Sequence, residues 1–255
     1  MRIGIIGAGA IGSTLAHALD DMEGIELIGI ADRLKDKAAY LAEHVRKGRA
    51  MRLDRLGDLT DLVVESASQE AVREHLPKVL AKGKSVIVMS VGALADERLR
   101  KRLEGLARKH HCKVYIPTGA IGGIDAVRAA RESTLQEVTL VTTKPPAALS
   151  PATKRRKVLF RGKANEAVLE YPQNINVAAT LSLAGLGFQE TKVEIIVDPL
   201  ATRNVHKILA QGDFGRIRVE VENLPSPENP RTSYLAALSA VALIRRILSP
   251  IEVGS

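Results

Sequence analysis

The chain has 255 residues, 45% of them hydrophobic, enough for one large core or two modest ones. Its net charge is +8, yet aromatics are only 3% and Trp is absent. The basic residues are scattered over stretches such as ERLRKRLEGLARKHH, which reads as a solvated exterior with a bias toward anionic ligands and against a nucleic-acid surface. A single cysteine, Cys112, excludes an internal disulfide and fits a cytoplasmic setting, and no run of about 18 apolar residues offers a membrane span.

The first element is RIGIIG (2–7), a short β-branched run predicted as a strand, followed by helical spacing over 10–22. The glycines that interrupt this opening segment argue against a signal peptide. IELIGIAD (25–32) is a second strand and 33–45 a second helix. DLVVESA (61–67) is a third strand, followed by the helix SQEAVREHLPKVLAKG. SVIVMS (85–90), a helix reaching about residue 109 and CKVYIP (112–117) complete the pattern. Strands alternating with helices of this length imply βαβ units and a parallel sheet.

After Pro117 the texture changes. TGAIGGIDAVRAAR (118–131) is a glycine-rich turn entering a helix, LQEVTLVTT (135–143) an alternating strand, and INVAATLSLAGLGF (175–188) a buried helix. TKVEIIV (191–197) and GRIRVEVEN (215–223) are strands, 223–233 is a Pro-rich connector, and YLAALSAVALIRRIL (234–248) is an apolar helix that must pack on protein. The expected fold is therefore α/β: a Rossmann dinucleotide-binding domain over 1–117 and 232–255, and an α+β second domain over 118–231 with a mixed sheet.

GAGAIG places Gly7, Gly9 and Gly12 in the G-x-G-x-x-G pattern between a predicted strand and a predicted helix, with Ala10 and Ile11 between the last two glycines. The pattern gives a tight turn, close approach of a pyrophosphate and close helix packing, with the phosphate at the helix N-terminus. Asp32 stands at the end of the second strand, 20 positions after Gly12, where a carboxylate accepts from the adenosine ribose. Asp32 favours NAD; the adjacent Arg33 can pair with the 2′-phosphate of NADP or simply face solvent. ESAS (65–68) and SVGAL (90–94) place small residues at further strand ends, either along the cofactor edge or as ordinary capped turns.

A nicotinamide supplies hydride chemistry, so the protein must position a substrate and move protons. Of six histidines, His17, His44, His75, His110 and His111 lie in or beside first-domain helices; only His206 sits in a polar segment of the second domain, DPLATRNVHKI (198–208), which on its own reads as a polar turn between strands. YPQNINVAATLSLAGLGF, DPLATRNVHKI with GDFG, TGAIGGIDAV and ENPRTSYLAALSAV together resemble the L-aspartate dehydrogenase family across nearly the whole chain.

That resemblance implies oxidation of L-aspartate to iminoaspartate with NAD or NADP, the product feeding NAD biosynthesis through quinolinate or hydrolysing to oxaloacetate and ammonia. It places the catalytic histidine at His206 and cofactor contacts at Ala120 and Asn176. It also implies a fold similar to dihydrodipicolinate reductase and a homodimer formed through the second domain. The residues agree with a dicarboxylate substrate: Arg203 and Lys144 are candidate carboxylate partners, with Thr202 and Asn204 as hydrogen-bonding groups. Arg203 and Asn204 as loop braces, Lys144 as a surface residue and Asn176 as a helix N-cap remain open alternatives. The GAIGG backbone amides can face a carboxylate or a carboxamide, or form only a turn. No metal site is expected. The competing functions are another two-domain reductase, of dihydrodipicolinate or homoserine dehydrogenase type, and a non-enzymatic NAD sensor.

Overall fold

The computed structural model describes residues 1–149, 153–172, 175–227 and 229–254. The chain divides into two compact units, Met1–Pro117 with Ala240–Pro250, and Thr118–Ser239 with the C-terminal residues from Ile251.

The first unit runs β1 (Arg2–Ile6), α1 (Ala10–Asp20), β2 (Glu26–Ala31), α2 (Lys35–Glu43), β3 (Arg49–Ala50), α3 (Leu53–Leu59), β4 (Leu62–Glu65), α4 (Gln69–Ala81), β5 (Ser85–Val88), a 3₁₀ turn (Val91–Ala95), α5 (Glu97–Lys109) and β6 (Val114–Tyr115). All its strands pair in parallel, in the order β3-β2-β1-β4-β5-β6. β1, β4 and β5 are buried at nearly every position, as strands covered on both faces must be. Helix entries are set locally: the Ser68 side chain accepts from Ala71 N–H to start α4, and Asp96 accepts from Arg98 and Leu99 N–H to start α5. The chain winds outward from β1 through β2 to β3, returns to β4 and winds the other way, so β1 and β4 flank the point where the strand order reverses.

The second unit contains α6 (Ile124–Ala130), β7 (Leu135–Lys144), α7 (Pro146–Leu149), β8 (Lys157–Lys163), α8 (Ala164–Glu170), α9 (Asn176–Ala184), β9 (Lys192–Val197), β10 (Asn204–Gly212), β11 (Gly215–Asn223), the short pair β12 (Pro225–Ser226) and β13 (Asn229–Ser233), and the start of α10 (Tyr234–Leu248). Its mixed sheet has the order β11-β10-β7-β9-β8, with β7 and β9 parallel and the other pairs antiparallel. From Val138 on, every second residue of β7 is buried (Val138, Leu140, Thr142, Lys144), and β10 buries Asn204, His206, Ile208 and Ala210. The opposite face carries exposed ion pairs such as Lys192–Glu137 and Lys207–Glu220. The later part of α10 contributes Ala240, Val241, Leu243 and Ile244 to the core of the first unit, with Ile3, Leu15, Ile30, Leu62 and Ile87.

Several elements depart from expectation. The segment 198–208 is not one turn: β10 begins at Asn204, because the alternation N-V-H-K-I-L-A buries one face even though two of its members are polar. The 223–233 connector holds the β12–β13 pair, β3, α3, β8 and α8 were not expected, and Gln173, Asn174 and Glu228 lie outside the described residues.

Candidate active site

The glycine turn leaves β1 with Gly7 at φ +103°, where a Cβ would stand 2.8 Å from Ala67 N. A Cβ on Gly12 would collide with the Gly7 carbonyl oxygen, so α1 lies as close to the turn as glycine permits. Gly9 behaves differently. It is the N-cap residue of α1, a Cβ there would meet nothing within 4 Å, and no side chain caps the helix. The first-turn amides of Ala10, Ile11 and Gly12 therefore open on space suited to an anion, and the residues present fit a dinucleotide pyrophosphate.

Asp32 accepts from Ala8 N–H and Leu34 N–H, both at 2.8 Å, and so ties the glycine turn to the start of α2. On the other side of the turn the Ser66 hydroxyl lies 3.1 Å from Ile6 O and 3.2 Å from Gly7 O. Each Asp32 oxygen keeps lone-pair capacity for a ribose hydroxyl. Asp32 and exposed Arg33 line a cleft of about 630 Å³ together with Lys35, Met51, Arg52 and Asp54. Arg52 is held by Asp54 through two bonds of 3.1 and 2.9 Å.

In the second unit, His206 on β10 faces Thr142 on β7 in register, and its Nδ1 lies 3.0 Å from Thr142 Oγ1. Only 3% of His206 and 5% of Lys144 is exposed. Burial first, and the Lys144 cation second, pull the His206 imidazole down to about 3; burial pulls the Lys144 ammonium down to about 8. At neutral pH the site thus holds a neutral imidazole and a desolvated cation. An anionic ligand beside them raises both values, because it favours the charged forms.

Asn204 and Asn223, register partners on β10 and β11, are both buried. Asn204 Nδ2 donates to Ser233 Oγ at 3.2 Å; Asn223 Nδ2 donates to Ala120 O at 3.0 Å. The Oδ1 atoms of both are enclosed without a hydrogen-bond partner. Gly119 N–H donates to Ser239 Oγ, so the 118–123 turn is fixed at two points. Gly123, at φ +71°, presses that turn against β11: a Cβ there would stand 2.7 Å from Val219 Cγ2.

The other expected residues are placed less uniformly. Lys144 is buried at the end of β7, not a surface residue, and Asn176 is the first residue of α9, with Ile175 at the N-cap position. Arg203 is half exposed, with Nη1 3.6 Å from Glu222 Oε2, and Thr202 is exposed. Thr142 follows from the same alternation that places Lys144, and Asn223 from the alternation that puts Ile217, Val219 and Val221 on one face of β11, whereas Lys35 and Arg52 carry no comparable signal in the sequence. Among the described residues no His, Cys, Asp and Glu cluster could hold a metal ion, and no helix is long and apolar enough to cross a membrane.

A parallel sheet of this strand order, opened by a glycine turn and closed at β2 by a carboxylate, defines a nicotinamide-dinucleotide-dependent oxidoreductase whose second unit carries a buried histidine and lysine. Residues 7–117 match the family model described as homoserine dehydrogenase, NAD binding domain, and residues 125–247 match aspartate dehydrogenase, C-terminal. L-aspartate dehydrogenases of Methanosarcina mazei and Methanothermobacter thermautotrophicus are 47% and 43% identical, each alignment covering the whole chain and at least 99% of the relative. The crystal structure of aspartate dehydrogenase from Thermotoga maritima superposes with a TM-score of 0.80 at 32% identity, over 100% of this chain and 99% of that one. The chain belongs to the L-aspartate dehydrogenase family.

Proposed function

We propose that this chain oxidises L-aspartate to iminoaspartate. The Cα–H leaves as hydride, the α-amino group loses a proton, and hydrolysis of the imine gives oxaloacetate and ammonium. The observation that carries the reading is the buried His206–Thr142 pair with buried Lys144 nearby, in a chain 47% identical to a named L-aspartate dehydrogenase. When bound, the oxidised dinucleotide supplies the hydride acceptor at C4 of its nicotinamide. The chain's own groups do the rest. In the tautomer whose Nδ1–H donates to Thr142 Oγ1, Nε2 is left as the acceptor for the α-ammonium proton. Lys144 attracts a substrate carboxylate, and Asn204 borders the same buried strand face. Ala120 and Asn176 are the expected cofactor contacts of the second unit.

Asp32 supports NAD, and the cleft lined by Arg33, Lys35 and Arg52 supports acceptance of NADP as well, with Asp54 competing for Arg52. A homodimer through the second unit is the expected assembly. The test is to follow reduced cofactor with L-aspartate, D-aspartate and L-glutamate, each with NAD and NADP, and in reverse with oxaloacetate plus ammonium. L-Aspartate should turn over well above the other two. No turnover with either L-aspartate or oxaloacetate plus ammonium would sink the reading.

A further inference from the structure

Glu65, the last residue of β4, has no exposed surface. In register it lies beside Ile6 of β1 and Val88 of β5, at the centre of the sheet's C-terminal edge. Its Oε1 accepts from Ala67 N–H (2.8 Å), Ser68 N–H (2.9 Å) and Ser90 Oγ–H (2.8 Å), and its Oε2 from Ser90 N–H (3.0 Å). The donors come from the two turns that follow β4 and β5. No cation pairs with the carboxylate among these contacts, and burial pushes the Glu65 carboxyl above the usual carboxylate range. Its neighbours on the flanking strands, Ile6 and Val88, are apolar, so hydrophobic packing alone does not call for a carboxylate here.

The bonds lead to the glycine turn. Oε1 grips the amides of Ala67 and Ser68; Ala67's nitrogen limits the space at Gly7, and the adjoining Ser66 meets the Ile6 and Gly7 carbonyls through its hydroxyl. Asp32 holds the turn from the other side through Ala8 N–H. Building on the dinucleotide reading above, we propose that Glu65 is a positioning residue for the cofactor: its carboxylate fixes the turns after β4 and β5, and through Ser66 it fixes the glycine turn that receives the pyrophosphate.

The test is a titration of NADH by its own fluorescence into the wild-type chain and the variants Glu65→Gln and Ser90→Ala, with steady-state KM and kcat alongside. Glutamine keeps the shape, but either amide orientation sets an NH₂ group against an N–H or O–H donor. The dissociation constant should rise about 10-fold or more in Glu65→Gln and about 3-fold in Ser90→Ala, with the KM for cofactor rising by more than kcat falls. A folded Glu65→Gln with wild-type NADH affinity would overturn the proposal. If Glu65→Gln does not fold, Ser90→Ala decides, and unchanged affinity there overturns it. Failure of the wild-type chain to bind NADH would instead refute the dinucleotide reading, and this inference with it.

Discussion

Thr142 Oγ1 and His206 Nδ1 lie 3.0 Å apart between adjacent antiparallel strands, both side chains buried. The threonine thereby engages Nδ1, orients the ring and leaves Nε2 to face the substrate. Thr142→Val keeps the shape and removes the bond. We expect kcat with L-aspartate to fall roughly 3- to 10-fold, the worth of one ordinary hydrogen bond, with cofactor affinity unchanged. A wild-type kcat in steady-state assays would show that the bond does not orient the ring.

His206→Gln removes the proton acceptor. The expected loss in kcat is about 10²- to 10⁴-fold, the usual contribution of general acid–base help. NADH affinity should hold, because His206 is not among the groups placed against the dinucleotide: the glycine turn, Asp32, Ala120 and Asn176. Fluorescence titration beside the kinetic assay separates the two effects.

The chemistry at this position is legible from residue types, but its structural setting is not. Gly7, Gly9, Gly12 and Asp32 are tied to their neighbours by short-range geometry, and the spacing alone reveals them. β10 is hidden because DPLATRN is rich in turn formers, and its strand alternation places Asn204 and His206, both polar, on the buried face. β8 is hidden because KVLFRGK lacks any buried position to set a period. Glu65 and Asn223 are legible as strand-end positions, Glu65 in ESAS and Asn223 on the face of Ile217, Val219 and Val221, but their bonding is not. Each is a polar strand-end residue whose burial depends on donors or acceptors from distant segments, Ser90 for one and Ala120 for the other.

Stability should depend on pH through His206. Its folded value, about 3, is below the ordinary 6.5, so between these the unfolded chain binds a proton that the folded chain does not. Stability therefore rises with pH across that window and is lost as pH falls through it, at up to about 1.4 kcal/mol per pH unit. Lys144 has the same sign between about 8 and 10.5. Urea unfolding at pH 5, 6 and 7 should show a shallower slope for His206→Gln than for wild type. Equal slopes would contradict the burial of a neutral ring.

The last two glycines of the turn should fail in different ways. Gly12→Ala drives a methyl into the Gly7 carbonyl and should cost roughly 1–3 kcal/mol of stability. Gly9→Ala points into open space and should leave the melting temperature close to wild type while weakening NADH binding about 10-fold or more. Paired thermal melts and NADH titrations distinguish these outcomes; a Gly9→Ala protein that binds NADH normally would place the pyrophosphate elsewhere.

In the proposed reaction hydride leaves Cα of L-aspartate for the nicotinamide. Turnover of L-aspartate deuterated at Cα, with mass analysis of the reduced cofactor, tests it directly. One deuterium on the dihydronicotinamide ring and one equivalent of oxaloacetate per reduced cofactor are expected. Reduced cofactor without deuterium, or deuterium lost to water, would contradict it.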